Sequence, residues 1–343
     1  MINSLQTLRG IAALMIFAHH FGFQSTVTES FGDCAVAIFM MLSGFVLTLS
    51  FVARSDSPKP VPKFSQFFTK RLIRIYPLYL LGQLSVFALI KFKIGASKVA
   101  ADLLMLQSWI PSSDYYFSGN SPSWFVSDLL FCYLLFIPAI KLITERRRAA
   151  ITILALMLSI YFICITLLPD NLVHSIIYIF PPMQFPVFAI GMLGAIIITK
   201  THSVKPSVCA DAFMLMPIVL LIFQIYAYPY ISPRLSLSSY WWIASFSLIY
   251  MLTRYDKARC VITTVFHIPL LTKLGDISYA FYIFHLPFLY VWRPLLRHFY
   301  IELPIGIDFV ISAVLLAGIC YAIHRLVEVP VTKFLDNRVL RRG

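Results

Sequence analysis

The chain has 343 residues, of which 59% are apolar and 13% charged, and its mean hydropathy is +0.82. Soluble domains hold about 45–50% apolar residues even with glycine counted, so this composition excludes a soluble enzyme and specifies an all-α, polytopic integral membrane protein. No polar stretch is long enough for a separate soluble unit, and residues 1–343 are expected to form one helical-bundle domain. A net charge of +13 raises the question of a nucleic-acid partner; the placement of the charges answers it.

Allowing ~20 apolar residues per crossing, spans are expected near 5–23, 34–53, 75–94, 122–143, 150–168, 176–198, 209–228, 238–254, 277–296 and 306–326. That makes about ten transmembrane helices, with both termini on one side. If the N-terminus is cytoplasmic, only Lys91, Lys93, Lys98, Arg234, Arg293 and Arg297 of the 28 basic residues face outward. This is the positive-inside bias, so the basic balance records topology and no nucleic acid is expected. The N-terminus lacks the charged region and cleavage site of a signal peptide, so the first helix is expected to stay. Cysteines 34, 132, 164, 209, 260 and 320 are scattered without metal-ligand spacing, which favours buried thiols over disulfides and gives no metal site.

The first helix, Leu8 to His20, places a cation near its start and imidazoles at its end. At ~100° per residue the step from Arg9 to His20 turns about 1100°, leaving both within about 20° of one face and about 16 Å apart along the axis. His19 lies about 100° further round. Ionisable groups at this depth face protein or a polar cavity, and packing histidines and chemistry are equally consistent with this helix alone. The next helix carries Ser43-Gly44, a pair that lets another backbone approach closely. Before it, Glu29 and Asp33 fall in a short outer loop, where they either orient a histidine or are simply exposed.

At the following membrane entry, Lys70, Arg71 and Arg74 stand together, the two arginines sharing a face at i, i+3. Guanidiniums there hold a phosphorylated group or anchor the chain to lipid head groups. Residues 96–121 form a long connection with an apolar patch, Leu103 to Leu106, too short to span and suited to an interfacial or re-entrant course. Its end, Tyr115 to Pro122, suits the interfacial aromatic belt or the lining of a site. Asp128 then sits about one turn inside an apolar helix, where it either has a histidine or arginine partner or lies close enough to the interface to stay wet. Towards the C-terminus, Asp276 suits the first turn of a helix, His285 is another deep imidazole, and Arg325 with Glu328 has the spacing of an ion pair.

Taken together these stretches resemble the membrane-bound acyltransferase family 3. The opening is similar to the family's Leu-Arg-Gly signature with ten residues between arginine and histidine, here Arg9 and His20. Phe39 to Phe45 resembles its Leu-Ser-Gly-Phe helix, and Arg71 to Tyr79 its Arg-x-x-Arg-Ile-x-Pro segment. Gly275 to Pro287 resembles its Gly-x-Ile-Ser-Tyr-x-x-Tyr-x-x-His helix, and Glu328 to Pro330 its closing Glu-x-Pro. One departure is Asp128, which stands one position before the family's glutamate after Trp124 and is one carbon shorter.

The resemblance implies transfer of an acyl group, most often acetyl from acetyl-CoA, to a hydroxyl of a carbohydrate at the bacterial inner membrane. It makes His20 and Asp128 the catalytic candidates, gives Arg71 and Arg74 to the CoA phosphates, and leaves Arg9 to bind CoA or to stabilise charge. Trp124, Tyr133 and His285 stand as substrate-binding candidates. The implied partners are acyl-CoA, a carbohydrate or lipid-linked glycan acceptor and membrane lipids, with homo-oligomerisation open. A transporter of acyl groups or glycans, or the donor half of a two-component acylation system, would share the same features.

Overall fold

The computed structural model describes residues 2–52, 62–200, 208–257 and 260–339, and they are helical almost throughout, without strands. Helices α1 (Asn3–Phe21), α2 (Thr26–Val52) and α3 (Phe64–Leu89) open the chain. Two short helices, α4 (Ala96–Leu103) and α5 (Ser113–Tyr116), lead to α6 (Trp124–Glu145) and α7 (Arg147–Leu167). After a turn at α8 (Asp170–Val173) come α9 (Pro181–Thr199) and α10 (Val208–Ala227). A second turn, α11 (Pro233–Ser236), precedes α12 (Trp242–Tyr255), and α13 (Val261–Phe266) and α14 (Pro269–Asp276) are short. The chain closes with α15 (Ser278–His298), α16 (Ile305–Ile323) and α17 (Val329–Val339).

Seven described helical stretches are long and apolar enough to cross a membrane: Thr26–Val52, Phe64–Leu89, Ser121–Glu145, Arg147–Leu167, Pro181–Thr199, Asp211–Tyr230 and Ile305–Arg338. The three remaining segments expected to span coincide with α1, α12 and α15. Helix α1 falls short in apolarity because it buries Ser4, Gln6 and Thr7 among its neighbours, a composition for packing inside protein rather than against lipid. Two helices begin earlier than hydropathy suggests. Helix α2 starts at Thr26, so Glu29 and Asp33 lie on a helix instead of in a loop, and α3 starts at Phe64, taking Lys70, Arg71 and Arg74 into its first three turns. Their polar first turns hide these starts from a search for apolar runs.

Helices α1, α2 and α9 form the centre. A Cβ on Gly44 would lie 2.0 Å from the Phe188 carbonyl oxygen, and one on Gly191 would lie 2.0 Å from that of Met41. The backbones of α2 and α9 therefore touch, which is the packing use of a small residue that the Ser43-Gly44 pair suggests. Helix α1 packs first on α14, with Gly10 close enough to Gly275 that a Cβ would lie 2.9 Å from its main-chain nitrogen, and then runs alongside α15. At the other end of the pair, Arg293 donates to the Phe21 carbonyl at 2.6 Å and caps the last turn of α1. Helices α7, α10 and α16 are mostly exposed and apolar, as lipid-facing walls are.

The connection between α3 and α6 does not span: it folds against α3, α6 and α15 as a plug, with Tyr79 of α3 donating to the Asp102 carbonyl and Asn120 donating to the Ile283 carbonyl of α15. Asp102, Gln107, Ser108, Asn120 and Ser123 are buried in it. Gln83 of α3 donates to Ser123 Oγ at 2.7 Å and accepts from the Asn120 main-chain N–H at 2.9 Å. Burying this many polar groups is tolerable because most of them bond one another; the Gln107 and Asn120 side-chain oxygens are the exceptions. The aromatic stretch follows suit, with Tyr116 and Asn120 turned into the protein. Cysteines 34, 132, 164, 260 and 320 are free thiols; the side chain of Cys209, and basic residues such as Arg54, Lys59, Lys205 and Arg259, lie outside the described residues.

Candidate active site

Parallel packing of α1 and α15 sets His20 against His285, with ring centroids 4.9 Å apart. Nδ1 of His285 lies 2.6 Å from the Tyr282 carbonyl oxygen, and Nδ1 of His20 lies 2.9 Å from that of Ile16. A carbonyl only accepts, so each Nδ1 carries its proton and each Nε2 is left with a lone pair. His285 Nε2 faces His20 Nδ1 at 3.3 Å and takes a share of that proton's bond. The lone pair of His20 Nε2 makes no hydrogen bond to any described residue. One imidazole nitrogen is thus held as a base by a second, fully buried imidazole. His19 sits at 4.8 Å, edge to face with His20, and its Nδ1 bonds the backbone carbonyls of Thr28 and Glu29. Main-chain oxygens, not the carboxylates of Glu29 or Asp33, orient that ring.

Two turns into α3, Arg71 stacks its guanidinium over Phe67 at 5.6 Å and over Tyr133 of α6 at 5.8 Å. Its Nε is buried and has no hydrogen-bond partner. Arg9 lies within electrostatic reach of Arg71, Arg74, Tyr133 and Glu328. None of the three arginines makes a hydrogen bond or ion pair with a described residue. Glu328 is engaged by His324 Nδ1 at 2.8 Å, so Arg325 does not pair with it and rests over the Tyr321 ring instead. Three guanidiniums within electrostatic reach of one another and without a bound carboxylate have the chemistry to hold an anion.

The profile of a family described as acyltransferase domain matches residues 2–325. The chain belongs to that family. Acyltransferase MdmB of Streptomyces mycarofaciens is 26% identical over 317 residues, covering 83% of this chain and 78% of that protein. A protein of Acidianus two-tailed virus, named "Putative acetyltransferase ORF330", is 26% identical over 293 residues, or 81% of each chain. No solved structure matches the chain.

In this acyltransferase the remaining candidates separate. Tyr133 belongs to the arginine cluster, beside Arg71 and away from the imidazoles, which places it with the donor-phosphate candidates. His285 has no exposed surface and stands behind His20, a position for fixing the tautomer rather than for touching an acceptor. Trp124 packs on Tyr178 at 5.0 Å and is nearly buried. Asp128 is fully buried, and neither of its oxygens has a hydrogen-bond partner. The basic partner expected for it is absent among the described residues: its surroundings are Ser108, Cys132 and Tyr282, and the Ser108 hydroxyl is committed to Ser127 at 2.7 Å. His20 is therefore held by His285 and not by Asp128. Asp276 closes α14 instead of opening a helix, and accepts from Gln6 at 2.7 Å. Sequence reasoning missed Arg293 and Tyr282. The Tyr282 hydroxyl bonds the Pro122 carbonyl and ties the plug to the helix that carries His285.

Proposed function

We propose that this membrane acyltransferase is an O-acetyltransferase that moves acetyl from cytoplasmic acetyl-CoA to a hydroxyl of a cell-surface polysaccharide, lipopolysaccharide or lipo-oligosaccharide, acting in the bacterial inner membrane with its N-terminus cytoplasmic. The observation that carries the reading is the free lone pair of His20 Nε2, on the same helix as Arg9 of the unneutralised arginine cluster. Eleven residues separate Arg9 from His20, about 16 Å of helix, so one rigid element sets the distance between the phosphate-binding and proton-accepting groups. The acetyltransferase name of a viral relative supports acetyl as the group moved.

Arg9, Arg71 and Arg74 hold the donor phosphates by charge-assisted hydrogen bonds. His20 Nε2 accepts the acceptor's hydroxyl proton as the oxygen attacks the thioester carbonyl. When the carbon–sulfur bond breaks, the imidazolium returns that proton to the departing thiolate, and His20 is neutral again. His285 keeps the proton on His20 Nδ1 throughout. General-base catalysis is worth about 10²–10⁴ in rate, so His20→Ala should insert normally and lose transfer by that factor. Mass spectrometry of surface glycans from cells carrying either protein reads the outcome as a lost acetyl mass. Unchanged acetylation in the variant overturns the reading, and so does glycan or acyl transport without ester formation.

A further inference from the structure

Among α2, α7, α9 and α12 lies a small cavity whose polar centre is Asp33, a residue without a part in the chemistry above. Asp33 sits in the second turn of α2 and is 9% exposed. Its Oδ2 accepts a hydrogen bond from the Tyr228 hydroxyl at 3.2 Å, and the Tyr178 hydroxyl acts on the same carboxylate. The cavity has a volume of about 10 Å³ and is walled by Tyr161, Tyr178, Trp241 and Trp242. That space admits one group of about the size of a water molecule. No lysine, arginine or histidine lines it. Arg234, two residues from the lining Ser236, is held away by Asp170 at 2.7 Å and by the Ile165 carbonyl at 2.8 Å.

A carboxylate so far out of water, with only phenols beside it, lacks a counter-charge. Aromatic faces add negative potential, and a carboxylate among such rings attracts a cation. The spot is locally negative in a protein of net charge +13. Two contacts separate it from the base. Gly32 packs so closely on His19 that a Cβ there would lie 3.0 Å from the ring, and His19 touches His20. From the cavity wall, ring contacts run from Tyr178 to Trp124 at 5.0 Å, on through Phe125 to Tyr282 at 5.9 Å, and from there to His285 at 5.9 Å.

We propose that this cavity binds a protonated primary amine, so that the hydroxyl acylated at His20 belongs to an amine-bearing acceptor such as an amino sugar. An ammonium group matches the cavity in size and sign, whereas a sugar ring does not enter it. The word acceptor rests on the acyl-transfer reading above; the cation site does not.

The test titrates the full chain in lipid nanodiscs with D-glucosamine and with D-glucose at about pH 7, where most of an amine of this kind is charged and a carboxylate is more readily ionised than in acid, reading the fluorescence of the wall tryptophans. Wild type should bind glucosamine at least about tenfold tighter than glucose. Asp33→Asn, which keeps the shape and the bond from Tyr228, should lose that preference while unfolding at a temperature no lower than wild type. Tyr228→Phe perturbs the pocket but keeps the charge, and should retain the preference. Equal binding of the two sugars, binding of neither, or an undiminished preference in Asp33→Asn overturns the proposal. Asp33-dependent amine binding in a protein that forms no ester would sink the acyl-transfer reading alone. Ester formation on glucose and glucosamine alike, indifferent to Asp33→Asn, would sink the amine site alone.

Discussion

Arg71→Met separates a ligand site from a membrane anchor, because the two assign opposite costs to the same guanidinium. In the structure Arg71 has a buried Nε without a partner, and it faces two other cations. Leaving a buried donor unmade costs about 1–3 kcal/mol. Methionine removes that cost and the mutual repulsion, and its sulfur keeps favourable contact with the rings of Phe67 and Tyr133. The unliganded variant should therefore unfold at the same temperature as wild type or higher. With donor bound, the variant lacks a charge-assisted hydrogen bond worth about 1.5–3 kcal/mol, or about 10–150-fold in affinity. The assay is the KM for acetyl-CoA in nanodiscs, run alongside dephospho-CoA binding. If Arg71 holds a donor phosphate, the preference for CoA over dephospho-CoA shrinks in the variant. An unchanged KM together with a lower unfolding temperature in bilayers of anionic lipid would refute the reasoning and make Arg71 a head-group anchor.

Asp102 in the plug is buried, and its carboxyl is pushed up to about 7 from a usual 3.8 despite the hydrogen bond from Ser118 Oγ at 2.9 Å. Between those values the folded protein holds a proton that the unfolded chain has released, so stability falls as pH rises from about 4 to about 7 and levels off above. Asp102→Asn should flatten the unfolding temperature between about pH 5 and 8 and raise it at the upper end; a slope like that of wild type would show the carboxyl is not responsible. Asp128 carries two unpartnered buried oxygens. Replacing it with leucine should gain about 1–3 kcal/mol of stability, measured by thermal unfolding in detergent. A fall of similar size would mean that the carboxyl has a partner which the helix packing alone does not supply.

Much of the fold was legible because lipid imposes one rule on every span: a run of apolar residues of fixed length. That rule fails where a helix has protein on all sides. The starts of α2 and α3 carry polar residues, and hydropathy cuts them short. The arginine cluster was visible because Arg71 and Arg74 share a helix face, and Arg9 keeps helical register with His20. What could not be read was which histidine's neighbour mattered. Spacing pairs residues within one helix, whereas His285 reaches His20 through the packing of α15 on α1. Asp128 misled for a related reason: depth in an apolar helix announces a cost, but it does not say whether the cost is offset by a partner. Asp33 was obscured by a boundary, since a residue expected in a loop is not weighed as a buried one.

The contact between α2 and α9 bears on where the molecule can yield. Two backbones that meet through Gly44 and Gly191 have no layer of side chains between them to rearrange, and close-packed interiors transmit displacement instead of absorbing it. The pair therefore moves as one post. Space for an acyl arm and an acceptor must be made on its flanks, where α1 meets α15 through phenylalanines such as Phe17 and Phe281 that have rotamers to spend. Strengthening the post should leave turnover alone, while stiffening that phenylalanine seam should slow the entry and exit of both substrates.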